Sequence, residues 1–345
     1  MESRGHVVRV VEVDFPALFP GGRVPLIDRI PRWSFRQRYY FWRQIPLQDY
    51  RYHNALRRVV RPALRAFRPD SVHCLHPYYW GAVAEGRRPH VVTAYGLEVE
   101  DAPPIRAIMA RAARIHCISN FTRQLAERAG APPERCRVIS WGIQAIDARP
   151  RSKSFDLATV GRLVKRKNVD TVLRAMALLP ELSYVVVGDG PELTSLRSLA
   201  YELGVEGRVT FAGHVSDRER ERLLSESRLF VMCPREEPGD VEGLGLVYYE
   251  AHAAGLPCVG ALSGGVPDAI GDGGVLIHSA EDVAGLARAV TRALEPGRYE
   301  QLCAAVIRRQ HACSWGRFLD QFEQLYEESR DAWDAAGAHL PSISP

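Results

Sequence analysis

Between Pro234 and Pro267 the chain reads PREEPGDVEGLGLVYYEAHAAGLPCVGALSGGVP, and this stretch narrows its possible folds more than any other. Glu242 and Glu250 have seven residues between them, beginning Gly243-Leu244-Gly245. A helix is expected from near Gly245 to the Gly255-Leu256-Pro257 stop, since glycine suits a C-cap and proline cannot continue a helix. Leu246, Val247, Tyr249, Ala253 and Ala254 are its expected buried side. Glycines ahead of a helix start let backbone N–H groups approach an anion, and the helix dipole adds about half a positive charge there. The place suits a phosphate. Glu242, in the loop, and Glu250, on the helix, suit instead the hydroxyls flanking one, as sugars on either side of a diphosphate present. Taken alone, Glu250 reads equally as a partly exposed helix glutamate.

The chain has 345 residues, 46% of them hydrophobic, enough for two α/β domains with separate cores. Both halves alternate strands and helices, as two doubly wound sheets require. No apolar run approaches the roughly 20 residues of a membrane-spanning helix, and the opening MESRGHVVRVVEVDF lacks a signal peptide's basic-then-apolar layout. The seven cysteines are odd in number and dispersed, which favours reduced, buried thiols and a cytoplasmic location over disulfides or zinc.

The net charge of +4 is unevenly spread. Residues 1–150 carry 24 arginines against 13 acidic residues, a net +11, and the remainder nets −7. A basic first half suggests an anionic partner: a membrane surface, a phosphorylated acceptor, or a donor across a cleft. Nucleic acid is not expected, because no helix-turn-helix, zinc or RNA-binding signature is present.

In chain order, strands are expected at His6–Val13, Ser71–Leu75, His90–Ala94, Arg114–Ile118 and Arg137–Ser140, with helices at Asp49–Phe67 and Ala102–Ala113. The segment DRIPRWSFRQRYYFWRQIP interleaves five arginines with six aromatics. It reads either as an interfacial segment meeting anionic lipid or as a helix whose aromatics pack inward. His73 and His76 stand at a strand end, as ligand contacts or ordinary strand-end residues. Residues 144–155 read as a linker.

Lysine occurs only at 153, 165 and 167. Gly161 to Asn168 reads GRLVKRKN before an amphipathic helix. A strand ending in Gly-Arg, with a lysine at the next helix start, makes a phosphate clamp: Arg162 forks, Lys167 is a point charge. Lys165 is assigned to solvent. The alternative is a charged loop. Gly188-Asp189-Gly190 follows the strand Tyr184–Val187, but G-x-G alone is a weak fingerprint and Leu193 fills the third glycine place.

The EGLGLVYYEAHAAGLPCVG block followed by SGGVPDAI resembles the retaining glycosyltransferases of family four, whose fold is GT-B: two Rossmann-like domains facing a cleft. The resemblance implies an N-terminal acceptor-side domain (1–143), a C-terminal nucleotide-sugar domain (156–313), a helix (314–331) returning to the first domain, and a tail (332–345). It implies that Glu250 holds the nucleotide ribose and Glu242 the donor sugar's hydroxyls. It further implies that Arg162, Lys167 and the amides of Gly243, Leu244, Gly245 and Leu246 meet the diphosphate. Gly188, Gly190, Val215 and Gly96 would line the donor. Tyr95 stands where the family usually has a histidine contacting the donor sugar, and Trp141 where it often has asparagine. The family's usual first strand and glycine-rich loop are missing before Gly5-His6. The implied reaction moves a sugar from a GDP- or UDP-linked donor to an acceptor hydroxyl with retention, by a front-face route without metal, since no Asp-x-Asp motif is found. The acceptor is left open between a lipid-linked and a small-molecule one, and the PREEPGDVEGLGLVYYEAHAAG block is nearest in look to GDP-mannose-dependent phosphoinositide mannosyltransferases. The alternative is a non-catalytic nucleotide-sugar binder or a partner subunit of an active transferase.

Overall fold

The computed structural model describes residues 5–6, 60–75, 89–96, 103–146 and 153–335. The expected strand His6–Val13 beyond His6, the basic aromatic segment, the helix Asp49–Phe67 before residue 60, His76 and its loop, and the tail after residue 335 lie outside them. Residues 60–67 are helical.

Apolar β-branched runs form two all-parallel sheets. The first contains β1 (Val72–Cys74), β2 (His90–Ala94), β3 (Arg114–Cys117) and β4 (Cys136–Val138), in that order. The helices α1 (Pro103–Arg111) and α2 (Asn120–Arg128) belong to this half. The second sheet contains β5 (Phe155–Val160), β6 (Tyr184–Val187), β7 (Val209–Gly213), β8 (Ser227–Val231), β9 (Cys258–Ala261) and β10 (Gly274–Ile277). Its order is β10-β9-β8-β5-β6-β7, so the winding reverses between β5 and β8. Its helices are α3 (Val169–Ala177), α4 (Leu193–Glu202), α5 (Asp217–Ser225), α6 (Leu246–Ala253), α7 (Val266–Ile270), α8 (Val283–Leu294) and α9 (Pro296–Ala312). In an open α/β sheet the crevice at such a reversal, outside the carboxyl ends of the strands, is where ligands bind.

Each layer hides its own apolar set. Leu157, Val172, Tyr184, Leu229 and Leu286 are among those on one side of the second sheet, and Phe230, Tyr248, Leu256 and Ile270 among those on the other. The face of α6 differs from expectation. Tyr248, Tyr249, Ala251, His252 and Ala253 are buried, whereas Leu246 is 45% exposed. The first turn of α6 opens toward the cleft, so its leading apolar residue is not part of the core.

The last helix, α10 (Trp315–Ala335), crosses the first sheet. Its Glu328 pairs with Arg114 at 3.1 Å, and its Tyr326 reaches a buried chain of polar groups. His116 Nε2 lies 2.9 Å from the Ile139 carbonyl, which can only accept, so that nitrogen carries the proton. His116 Nδ1 then accepts from the Thr93 hydroxyl at 3.0 Å, Thr93 accepts from His73 Nε2 at 2.6 Å, and His73 Nδ1 accepts from Tyr326 at 2.8 Å. Burial lowers His73 to about 3 and His116 to about 4, so both stay neutral at physiological pH. His73 is thus a structural residue beneath α10.

Asn168 ties the strand-end loops of the second sheet. It sits at φ 60° and is fully buried. Its amide donates to the Cys233 carbonyl at 2.7 Å and to Ala280 at 2.6 Å, and its oxygen accepts from Thr171. Asn168→Ala leaves two carbonyls without donors and puts a less tolerant residue in the left-handed region. The expected outcome is a loss of about 3 kcal/mol in a urea titration.

Candidate functional site

The charged residues at the reversal come from the loops after β5 and β8. Lys167 Nζ lies 2.5 Å and Arg166 2.9 Å from the same Glu242 oxygen. Arg166 also stands 3.0 Å from Asp240. The three central side chains are largely buried: 13% of Glu242, 14% of Lys167 and 15% of Arg166 remain exposed. Burial opposes ionisation of Glu242, yet Lys167 and Arg166 outweigh it and hold its pKa below the usual 4.5. Arg235 braces this basic loop. Its backbone N–H donates to the Arg166 carbonyl at 2.8 Å, and its guanidinium grips both Asp170 oxygens at 2.8 Å.

Arg162 is exposed just past β5 and has no ion pair among the described residues. The sequence pairs it with Lys167, whereas the structure pairs Arg166 with Lys167 through Glu242. Arg166 escaped sequence reading because one more arginine in a run of three basic residues carries no distinguishing pattern. Lys165 is exposed, as assigned.

Glu250 lies on α6 beyond the glycine turn. Arg220 of α5 approaches it at 3.2 Å and holds Asp217 at 2.8 Å. Burial raises the Glu250 pKa; nearby Asp217 and Glu221 add to this, and Arg220 opposes it. The two glutamates of the motif therefore sit in opposite electrostatic settings. No sequence pattern marked Arg220 or Asp240.

The glycines of the turn between the glutamates approach their neighbours closely. Gly245, at φ 83°, precedes α6, where a left-handed backbone favours glycine. A side chain at Gly243 would strike the Tyr95 carbonyl of the first sheet. Leu244 is buried. Among the described residues the backbone N–H groups of Gly243, Leu244, Gly245, Leu246 and Val247 have no backbone partner, the ordinary state of a helix start that can receive an anion.

The other expected site residues also follow strand ends. Tyr95 and Gly96 come after β2; Tyr95 is exposed and Gly96 buried. The turn Gly188–Gly190 abuts the end of β5, with Leu163 N–H donating to Asp189 at 2.9 Å. Half-buried Val215 follows β7. No group of three or more His, Cys, Asp or Glu side chains suited to a metal ion occurs among the described residues. No helix described is long and apolar enough to cross a membrane.

Two all-parallel α/β sheets, the second doubly wound with a charged cluster at its reversal, match the GT-B architecture, and comparison with known proteins agrees. The Anabaena protein HepE, solved in complex with UDP, superposes with a TM-score of 0.67 over 79% of this chain and 81% of that one, at 20% identity. A glycosyltransferase from Rickettsia africae superposes with a TM-score of 0.69 over 83% and 82%, at 15% identity. Residues 144–309 match the family described as Glycosyl transferases group 1, and residues 1–145 match Glycosyltransferase Family 4. The D-inositol 3-phosphate glycosyltransferase of Thermomonospora curvata is 30% identical over 304 residues, 78% of this chain and 67% of that protein. The GDP-mannose-dependent alpha-(1-6)-phosphatidylinositol monomannoside mannosyltransferase of Mycobacterium tuberculosis is 34% identical over 172 residues, 44% of this chain and 45% of that protein. The match thus spans under half of the mycobacterial relative's length. The chain belongs to glycosyltransferase family four.

The depressed Glu242 pKa has a consequence for stability. A carboxylate with a folded pKa below its unfolded value stabilises above that unfolded value, and the contribution disappears as pH falls through the folded one. Glu242→Gln leaves Lys167 and Arg166 without their shared carboxylate. It is expected to be less stable than the parent at pH 7, with the difference shrinking below pH 4.5, read by denaturant titrations across pH.

Proposed function

We propose that this chain transfers a sugar from a nucleotide-diphosphate donor to an acceptor hydroxyl, with retention of anomeric configuration. The observation that carries the reading is the Lys167–Glu242–Arg166 cluster at the winding reversal, beside a glycine turn whose amides are unfilled. A lysine ammonium has three donors. Lys167 can keep Glu242 and still face a phosphate. Exposed Arg162 supplies a forked cation from the same loop.

In this reading Glu250 accepts from the ribose hydroxyls and Glu242 from the donor sugar. Gly188, Gly190 and Val215 sit beside the nucleotide, and Tyr95 and Gly96 face the sugar from the other lobe. As the bond from the anomeric carbon to the leaving diphosphate oxygen breaks, negative charge grows on that phosphate. Arg162, Lys167 and the Gly243–Leu246 amides are aimed at it, and stabilisation of this preorganised kind is usually the largest catalytic term. The acceptor oxygen bonds to the anomeric carbon on the face the leaving group vacates. Its proton passes to a leaving phosphate oxygen, so no enzymic nucleophile is needed. With these cations meeting the developing charge, we assign no role to a divalent metal.

The two relatives above are named for inositol-bearing phosphate substrates. The first 150 residues carry a net +11. Together these support an acceptor with an inositol phosphate group, free or in a lipid, met from the cytoplasmic side of a membrane. The relative dependent on GDP-mannose makes that donor the first to try.

Turnover of GDP-mannose and UDP-glucose with inositol phosphate acceptors tests the reading. Lys167→Ala and Arg162→Ala are each expected to lower kcat at least about a hundredfold, and a chelator is expected to leave it unchanged. Near-normal rates in both variants remove the diphosphate clamp. Nucleotide-sugar binding without transfer or hydrolysis returns the chain to the class of non-catalytic binders.

A further inference from the structure

Among the described residues, the two lobes touch beside the glycine turn. Ser119 caps α2 in the first lobe: its oxygen accepts from Thr122 N–H at 3.1 Å, and its single proton goes across the cleft to the Gly243 carbonyl at 2.7 Å. The next residue, Asn120, donates its backbone N–H to one oxygen of Asp268 and its amide to the other, both at 2.7 Å. Asp268 lies on α7 and thus places a carboxylate at the positive end of α2. Its own helix is anchored from behind, where Arg309 donates to the Asp268 and Ala269 carbonyls at 3.0 and 2.9 Å. The residue before α7, Gly265, donates its N–H to the Glu242 carbonyl at 2.8 Å.

Both lines of contact end on neighbouring carbonyls. Asn120 reaches Glu242 through Asp268, α7 and Gly265, and Ser119 reaches Gly243 directly. In a trans peptide the N–H points opposite to the C=O. Pinning the Gly243 carbonyl toward Ser119 therefore aims the Leu244 N–H away from the first lobe. The Gly243–Leu244 peptide of the anion-accepting turn is thus oriented by Ser119 of the opposite domain.

We propose that Ser119, Asn120 and Asp268 form a cross-cleft clasp that positions the Glu242–Gly245 turn, so that the turn takes its donor-ready shape only with the lobes closed. The three are positioning residues. The link to catalysis rests on the function proposed above; the clasp itself does not.

A swap of the two side chains tests it. Asn120→Asp sets one carboxylate against another and should open the cleft. The double variant Asn120→Asp with Asp268→Asn restores one donor and one acceptor on each side. Expected for Asn120→Asp are a larger radius of gyration by solution X-ray scattering and a kcat lower by about tenfold, with both returning toward the parent in the double variant. The milder Asn120→Ala, which removes the side-chain bond without repulsion, should show a smaller change in the same direction. Cooperative melting of all four proteins establishes that they fold. An unchanged radius in Asn120→Asp, or a double variant in which the losses multiply, overturns the clasp. Absence of turnover in the parent with every nucleotide sugar refutes the proposed function, while scattering still decides the clasp.

Discussion

The site depends on a carboxylate that cannot stand alone. Glu242 is too buried to be left charged without partners, and removing one member of a buried pair typically costs about 3–5 kcal/mol. Lys167 and Arg166 answer it from the loop after β5, and Glu242 itself comes from the loop after β8. Those two strands are hydrogen-bonded neighbours although far apart in sequence. The ion pairing therefore fastens together the two loops that the sheet reversal would otherwise leave splayed. The glycine turn, α6 and Glu250 follow from where that fastening holds the chain.

Around this centre the second domain is cross-braced by single polar residues. Asn168 joins the ends of β8 and β10 to the start of α3, and Arg235 joins the basic loop to α3 through Asp170. Arg220 has a different effect. By opposing the burial of Glu250 it favours the ionised form that can accept from hydroxyls, while Asp217 and Glu221 pull the other way. Neighbouring carboxylates thus have unlike proton affinities, set by unlike surroundings.

Much of this was legible, for identifiable reasons. The bounds His90–Ala94 and Tyr184–Val187 follow from short apolar β-branched runs closed by Tyr-Gly and Gly-Asp. The other expected strands among the described residues agree within a residue or two, where flanking polar residues blur the ends, and the strand Cys258–Ala261 was not foreseen. The glutamate pair and its glycines were readable because the anion-accepting chemistry is local to one loop and helix. Arg166, Arg220 and Asp268 were not, since their partners lie 76, 30 and 148 positions away and only the crossovers bring them together. The buried side of α6 was misjudged at Leu246 because periodicity does not reveal that a first turn faces a cleft. His73 stood open between ligand and filler. Its partner Tyr326 is 253 residues on, and that distance hid its structural part.

The passage of α10 back over the first sheet orders events during synthesis. Val91, Ile139 and Leu325 share one apolar cluster, with Phe318, Phe322 and Tyr326 against it. Those aromatics leave the ribosome only after the whole second domain has been made. Until then the first domain holds an uncovered apolar face and two histidines whose polar chain lacks its tyrosine end. A nascent chain of this design completes its earlier half last, and an interruption of translation before residue 315 strands that half with its greasy side open to other chains.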